Sequence, residues 1–279
     1  MIAKRTLKAV QDDRLFGHAA ELGFYFLFSL FPTLFCAGSI LGLAARSAHR
    51  VSDQLLNYLA LVVPASALGT VLTTFNETTA AASSGKVTLG SIAAIWSASV
   101  GISAIQDTLN QVFKLDNKRP YIVARLYAIG LTFLITLLIT LGLGSMLGGD
   151  FVAALADHEL THHPLAATAL GIAARIIAWI IAACVLSLLF AALYYWAPDW
   201  RERHWHWITP GTTVGVAGWL LASLGFRVYI HYFNNYNVTY GSLGAVIILL
   251  MWFYISGLML LLGAEVDTVV GAAAEKRLE

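Results

Sequence analysis

The chain has 279 residues, 58% of them hydrophobic and only 12% charged, with a formal net charge of +1. A soluble domain carries about a quarter of its residues charged, so this composition, with a mean hydropathy of +0.73, makes lipid the expected solvent and leaves little sequence for a soluble domain. The near-zero charge excludes a strongly basic nucleic-acid surface. The two cysteines, Cys36 and Cys184, both lie in apolar runs and form neither a disulfide framework nor a zinc pattern.

The first sixteen residues carry Lys4, Arg5, Lys8 and Arg14, and the apolar run that follows lacks a small-residue cleavage site. They predict a cytoplasmic stretch before the first span, not a signal peptide. About 20 apolar residues cross the hydrocarbon core as a helix, and backbone groups in lipid must bond internally. Leu22–Ala45, Val87–Gln106, Leu126–Gly149 and Ser242–Ala264 meet that length without a charge. Pro164–Ala197 contains one charge, Arg175, and Ile208–His231 contains Arg227. With their end turns the predicted spans are 19–45, 87–110, 123–149, 164–197, 208–231 and 242–267, in one all-α membrane domain over 1–279.

Residues 51–84 form the long connection, between spans one and two. Val51, Leu55, Tyr58, Leu59 and Val62 share one helical face, and a second such pattern follows Pro64 through Leu68, Val71, Leu72 and Phe75. Two amphipathic helices on the outer surface are expected, with a re-entrant segment as the alternative. Lys and Arg in the connections set the direction. Twelve fall on the side of both termini, including Lys114, Lys118, Arg119, Arg125, Arg201 and Arg203, against Arg46, Arg50 and Lys86 opposite. Both ends are therefore predicted inside. Tyr194, Tyr195, Trp196, Trp200, Trp205 and Trp207 supply the aromatic belt expected at headgroup level. No internal repeat marks an inverted-repeat architecture.

Ionisable residues in or at the ends of spans are costly and point to function. Glu21, Asp107 and Glu265 fall near the inner face, with Asn110 beside them, and Arg175 and Arg227 lie toward the outer half. One reading is an inner polar cavity, with an arginine attracting an anionic group. The plainer one has the acids pairing with Arg14, Arg125 or Lys114 while the arginines snorkel outward. Pro32 lies mid-span, where it removes a backbone bond, and Ser29 is placed to satisfy a freed carbonyl. Tyr236, Asn237 and Tyr240 sit in a polar outer connection that reads as a tight turn or as a gate for a polar solute. His158-Glu159-Leu160-Thr161-His162 fits the zinc-protease pattern H-E-x-x-H. Its expected place in a short outer loop, with Pro164 next and no downstream acidic ligand, argues against a protease and leaves adventitious metal binding by His158, His162 and His163 as an alternative.

Several motifs together resemble the YihY/BrkB family of bacterial inner-membrane proteins. They are Ala19-Ala20-Glu21-Leu22-Gly23-Phe24-Tyr25 and Ser29-Leu30-Phe31-Pro32 in the first span, then Trp96-Ser97-Ala98-Ser99, Leu109-Asn110 and Arg119-Pro120. Tyr194-Tyr195, Pro210-Gly211, Tyr236-Asn237, Thr239-Tyr240-Gly241-Ser242-Leu243-Gly244 and Gly263-Ala264-Glu265 extend the likeness to the last span. The resemblance implies six spans in the inner membrane, a link to envelope integrity or virulence, and a transport role, and it draws Glu21 and Tyr25 into the candidate site. An older ribonuclease label for the family finds no nucleic-acid surface or two-metal residue set in this sequence.

The expectation is a non-enzymatic transporter or exporter of a small anionic or lipid-like solute through a cavity between helices. No P-loop is present and no cofactor is implied, so energy would come from a gradient or a partner, with Glu21 or Glu265 titrating in a proton-coupled version. The alternative is a non-transporting envelope scaffold, for which Gly142-x-Gly144 and Gly211-x3-Gly215 permit close helix contact within or between chains. Expected partners are the lipid bilayer, a solute or lipid, and possible further copies in a homo-oligomer, with no nucleic acid.

Overall fold

The computed structural model describes residues 2–44, 73, 84–115, 119–159, 164–200, 208–232 and 242–275. Seven helices account for nearly all of them. They are α1 (Ile2–Asp12), α2 (Leu15–Ala44), α3 (Ser84–Val112), α4 (Tyr121–Glu159), α5 (Pro164–Trp196), α6 (Pro210–Tyr232) and α7 (Ser242–Glu275). The expected outer segment 51–84 falls almost wholly outside the described residues, as do Tyr236, Asn237, Tyr240, His162 and His163.

Among the described residues four helices are long and apolar enough to cross a membrane: Tyr121–Ala156 in α4, Leu165–Trp196 in α5, Pro210–Tyr232 in α6 and Leu243–Ala273 in α7, with a shorter apolar stretch at Leu15–Leu30 in α2. Ile176, Ile177, Trp179 and Ile180 are all exposed on α5, as befits a surface that meets lipid. The helix α3 covers the expected second span, but Ser97, Ser99, Ser103 and Gln106 dilute its hydropathy, and it is not one of the four.

The boundaries correct the sequence reading in three places. The N-terminal stretch is itself a helix, α1, with Thr6 and Val10 buried one turn apart and Arg5, Leu7 and Lys8 exposed. The helix α4 continues to Glu159 instead of ending at Gly149, because Phe151, Val152 and Leu155 prolong the helical pattern through the two glycines. His158 and Glu159 therefore lie in its last turn, not in a loop. The last helix runs on to Glu275, eight residues past the expected end at 267.

The helix α7 packs against α2 and α6, α2 against α3, α3 against α4, and α4 against α5. Close approach is bought with glycine. A side chain at Gly23 of α2 would meet the Tyr254 backbone nitrogen of α7 at 3.1 Å, and one at Gly211 would run into the Gly263 carbonyl and the Asp267 carboxylate. The buried core centres on Leu15, Leu22, Leu109, Val112, Tyr194 and Leu261, at the end where α1, the α3 C-terminus and the α5 C-terminus meet.

That end is tightly stopped. Lys114 has a left-handed φ of 56°, its N–H bonds Gln111 O, and the Leu115 N–H reaches back to Asn110 O, the Schellman pattern that closes a helix C-terminus. On α6, Thr209 caps the first turn by accepting from the Thr212 N–H at 3.0 Å, and Pro210 occupies the first helical position. Asp267 of α7 completes the cap, accepting from Gly211 N–H at 2.7 Å and Thr209 Oγ1 at 2.6 Å, an anion at a helix N-terminus.

Candidate functional site

The second half of α3 presents Ser99, Ser103, Gln106 and Asn110 at spacings of four, three and four, which puts them on one helical face. Ser99 and Ser103 donate to carbonyls of their own helix, Trp96 O at 2.7 Å and Ser99 O at 3.0 Å. Asn110 meets a neighbouring element. Asn110 exchanges two hydrogen bonds with Asp199, its Nδ2 donating to Asp199 Oδ2 at 3.0 Å and its Oδ1 accepting from the Asp199 N–H at 2.8 Å.

Asp199 also accepts from the Arg119 N–H at 2.9 Å and pairs with Arg119 Nε at 3.3 Å. The Arg119 guanidinium then donates to the carbonyls of Trp196 and Pro198 and lies over the Tyr127 ring, 4.0 Å from its centroid. A buried ion pair repays its desolvation only when its remaining donors and acceptors are satisfied. Here they are, and the knot fastens the segment before α4 to the segment after α5.

Beside the knot is a pocket of about 230 Å³ lined by Ser103, Gln106, Asp107, Asn110, Arg119, Tyr121, Ala124, Arg125 and Asp199. Arg125 stacks on the Trp96 ring at 4.1 Å and donates to Ser103 Oγ and Trp96 O. Among the described residues its Nε is buried without an acceptor, and so is Gln106 Nε2. The pocket can hold a small group that accepts hydrogen bonds and carries negative charge.

Glu265 lies elsewhere on α7. It is 1% exposed, and both carboxylate oxygens lack a hydrogen-bond partner among the described residues. The charges acting on it are those of Asp13, in the α1–α2 turn, and Lys114, which are themselves 3.4 Å apart.

The structure thus divides the residues that the sequence groups at one inner mouth. Asp107 and Asn110 line the polar pocket, whereas neither Glu21 nor Glu265 is among its walls. Glu21 is exposed and sits 3.5 Å from His18 on the same helix. Tyr25 is half-buried against the core with its ring edge-on to Phe24. Ser29 donates to Phe26 O at 3.0 Å and faces Gly101 of α3. The helix runs on through Pro32. Arg175 is exposed and paired with Asp150 at 3.1 Å, and Arg227 is exposed. Among the described residues no group of three His, Cys, Asp or Glu side chains is placed to hold a metal.

The sequence reading leaves Asp199, Gln106 and Asp13 out of the site, and takes Arg125 only as a pairing partner, Arg119 only as part of a family motif, and both in the charge count. The sequence profile of the virulence factor BrkB family matches residues 6–279. The chain belongs to that family. Among BrkB relatives, the Bacillus subtilis protein YfkH, whose name calls it ribonuclease-like, is 33% identical over 90% of this chain and 88% of its own length. A UPF0761 membrane protein of Vibrio cholerae is 27% identical over 95% of this chain and 85% of its own. A UPF0761 membrane protein of Stenotrophomonas maltophilia is 29% identical over 94% of this chain, which spans only 58% of that longer relative. No solved structure matches the chain. Family and apolar helices together make this BrkB chain an integral membrane protein.

Proposed function

We propose that this chain is a six-span inner-membrane transporter or exporter of a small anionic or lipid-like solute, with α2 to α7 as the spans and both termini in the cytoplasm. The excess of Lys and Arg in the connections on the terminal side supports the orientation. The polar pocket between α3, the start of α4 and the segment after α5 carries the functional reading, since two arginines, two carboxylates and two buried amides converge there. Ionisable residues in or at the ends of spans mark solute paths in membrane proteins. For a coupling cation or proton we assign Glu265 over Glu21, because it is buried and lacks a hydrogen-bond partner among the described residues, while Glu21 is exposed beside His18.

The scaffold alternative draws on small-residue stripes, of which the chain fills Gly142, Gly211 and Gly215 itself and leaves Gly144 open. Gly211 and Gly215 pack against α7 and against Tyr194 and Phe190 of α5, and Gly142 faces Val185 of α5 at 3.6 Å. The deciding experiment is flux in liposomes reconstituted with the full chain, screened over anionic, zwitterionic and lipid candidates. Transport of one of these, lost on Arg125→Gln, is expected. A protein that folds, inserts and moves none of them returns the scaffold reading.

A further inference from the structure

Among the described residues, two buried donors without acceptors belong to residues that line the same pocket. They are Arg125 Nε of α4 and Gln106 Nε2 of α3, and both residues are walls of the 230 Å³ cavity. An orphaned donor in a dry site carries its full desolvation cost, so such a pair marks the place of an absent acceptor. Arg125 forms no ion pair among the described residues, whereas Arg119 is matched by Asp199. The charged walls are Arg119, Arg125, Asp107 and Asp199, and Arg125 is the arginine among them without a bonded carboxylate among the described residues. Asp107, at the exposed rim, is screened by solvent. Charge and donor geometry fit an oxyanion with several acceptor oxygens, and an arginine is suited to phosphate.

The second observation lies across Arg119. The same guanidinium that walls the polar pocket covers the Tyr127 ring and bonds Trp196 O. Tyr127 and Trp196, with Leu126, Gly130, Leu131 and Leu134, line an open apolar groove of about 380 Å³. Leu126, Tyr127 and Trp196 are exposed on the outer surface of the bundle, where an acyl chain reaches them directly. A polar pocket and an apolar groove thus share one wall, at the aromatic level where headgroup meets hydrocarbon.

We propose that this pair of sites binds a phospholipid, its phosphate held by Arg125 and Gln106 and one acyl chain laid along the Leu126–Leu134 groove. As a substrate site it rests on the transport reading and names the substrate class as lipid instead of small anion. Binding itself does not depend on transport. Gly130 allows a direct test of the groove, because a Cβ added there meets nothing within 4 Å. Gly130→Phe puts a ring into the groove from that open position, and an unchanged melting temperature checks that the fold is kept.

The test is native mass spectrometry and vesicle-to-protein titration on the full chain, with phosphatidylglycerol, with diacylglycerol of the same chains, and with inorganic phosphate. Phosphatidylglycerol should bind, and diacylglycerol should bind at least about 10-fold more weakly, the factor expected for losing hydrogen bonds to a charged group. Gln106→Met keeps the volume and removes the donor. It should weaken phosphatidylglycerol several-fold while leaving the melting temperature unchanged or raised, since an unpaired buried amide is gone. Arg125→Lys retains the charge without the fork and should also weaken it. Gly130→Phe should weaken both lipids and leave inorganic phosphate unaffected. Equal binding of diacylglycerol, indifference to Gln106→Met, or inorganic phosphate bound as tightly as the lipid with no effect of Gly130→Phe each overturns the proposal. Phospholipid binding without any flux keeps this site and sinks the transport reading. Flux of a small anion without phospholipid binding does the reverse.

Discussion

Removing the Asp199 carboxylate is the sharpest test of how the two ends of the α4–α5 pair are held together. Its side chain is 5% exposed and Arg119's is 19%, so the substitution leaves a poorly solvated guanidinium behind. Asp199→Ala strips the acceptor from three donors: Asn110 Nδ2, the Arg119 N–H and Arg119 Nε. Breaking a buried ion pair from one side costs about 3–5 kcal/mol. The guanidinium keeps the Trp196 and Pro198 carbonyls and the Tyr127 ring, which places the expectation near the lower end, about 3 kcal/mol. Asn110→Ala removes the mutual pair with Asp199 and should cost about 2 kcal/mol, from two orphaned hydrogen-bonding groups. Because the two side chains act on each other, the double variant should fall short of the sum by about 1 kcal/mol or more. Denaturation of the purified chain by SDS in mixed micelles, followed by tryptophan fluorescence, measures all three. An Asp199→Ala protein within about 0.5 kcal/mol of the parent, or strict additivity with Asn110→Ala, would refute the knot as a fastening.

Glu265→Gln removes charge from a buried carboxyl group with no hydrogen-bond partner among the described residues, so stability should hold or rise while flux in liposomes is lost; a clear loss of stability would show that the carboxylate has a partner there. Gly211→Ala drives a methyl group into the Gly263 carbonyl and the Asp267 cap, and a melting experiment should read a loss of about 1–3 kcal/mol. Glu21→Gln touches only a half-exposed contact with His18, so it should change stability by no more than about 1 kcal/mol and complement a deletion strain normally. Failure to complement at matched expression would restore Glu21 to the site.

Composition alone carried the class of the fold, because lipid forces long apolar helices and forbids most alternatives. The helix positions followed for the same reason, and α5, α6 and α7 start where their expected spans start or within two residues. Their ends were harder to read. The helix α4 passes Gly148 and Gly149, which sequence logic treats as stop signals, because Gly149 is pressed against Ala174 and Ala178 of α5 and that packing outweighs the low helix propensity of glycine. The first helix is hard to read because Lys4, Arg5 and Lys8 dominate the stretch, and the pair it buries, Thr6 and Val10, is known only from the structure.

The site was half legible, and the reason lies in distance along the chain. Asn110 and Asp107 stood out as polar residues at the end of an apolar run. Gln106 and Ser103 share their face, and the spacing from Ser99 to Asn110 was open to inspection without any structure. What the one-dimensional pattern cannot carry is the partner of Asn110, since Asp199 lies 89 residues away in a stretch that reads as an aromatic interface. Grouping carboxylates by depth also misled, because depth along a helix says nothing of the side from which the group projects. The sequence puts Glu21 and Glu265 at one level, yet one is exposed beside His18 and the other is enclosed near Asp13 and Lys114. In a bundle where only a few side chains are polar, function is decided by which of them share a wall. Here Arg119 does so twice, with Asp199 and the polar pocket on one side and with Tyr127 and the apolar groove on the other.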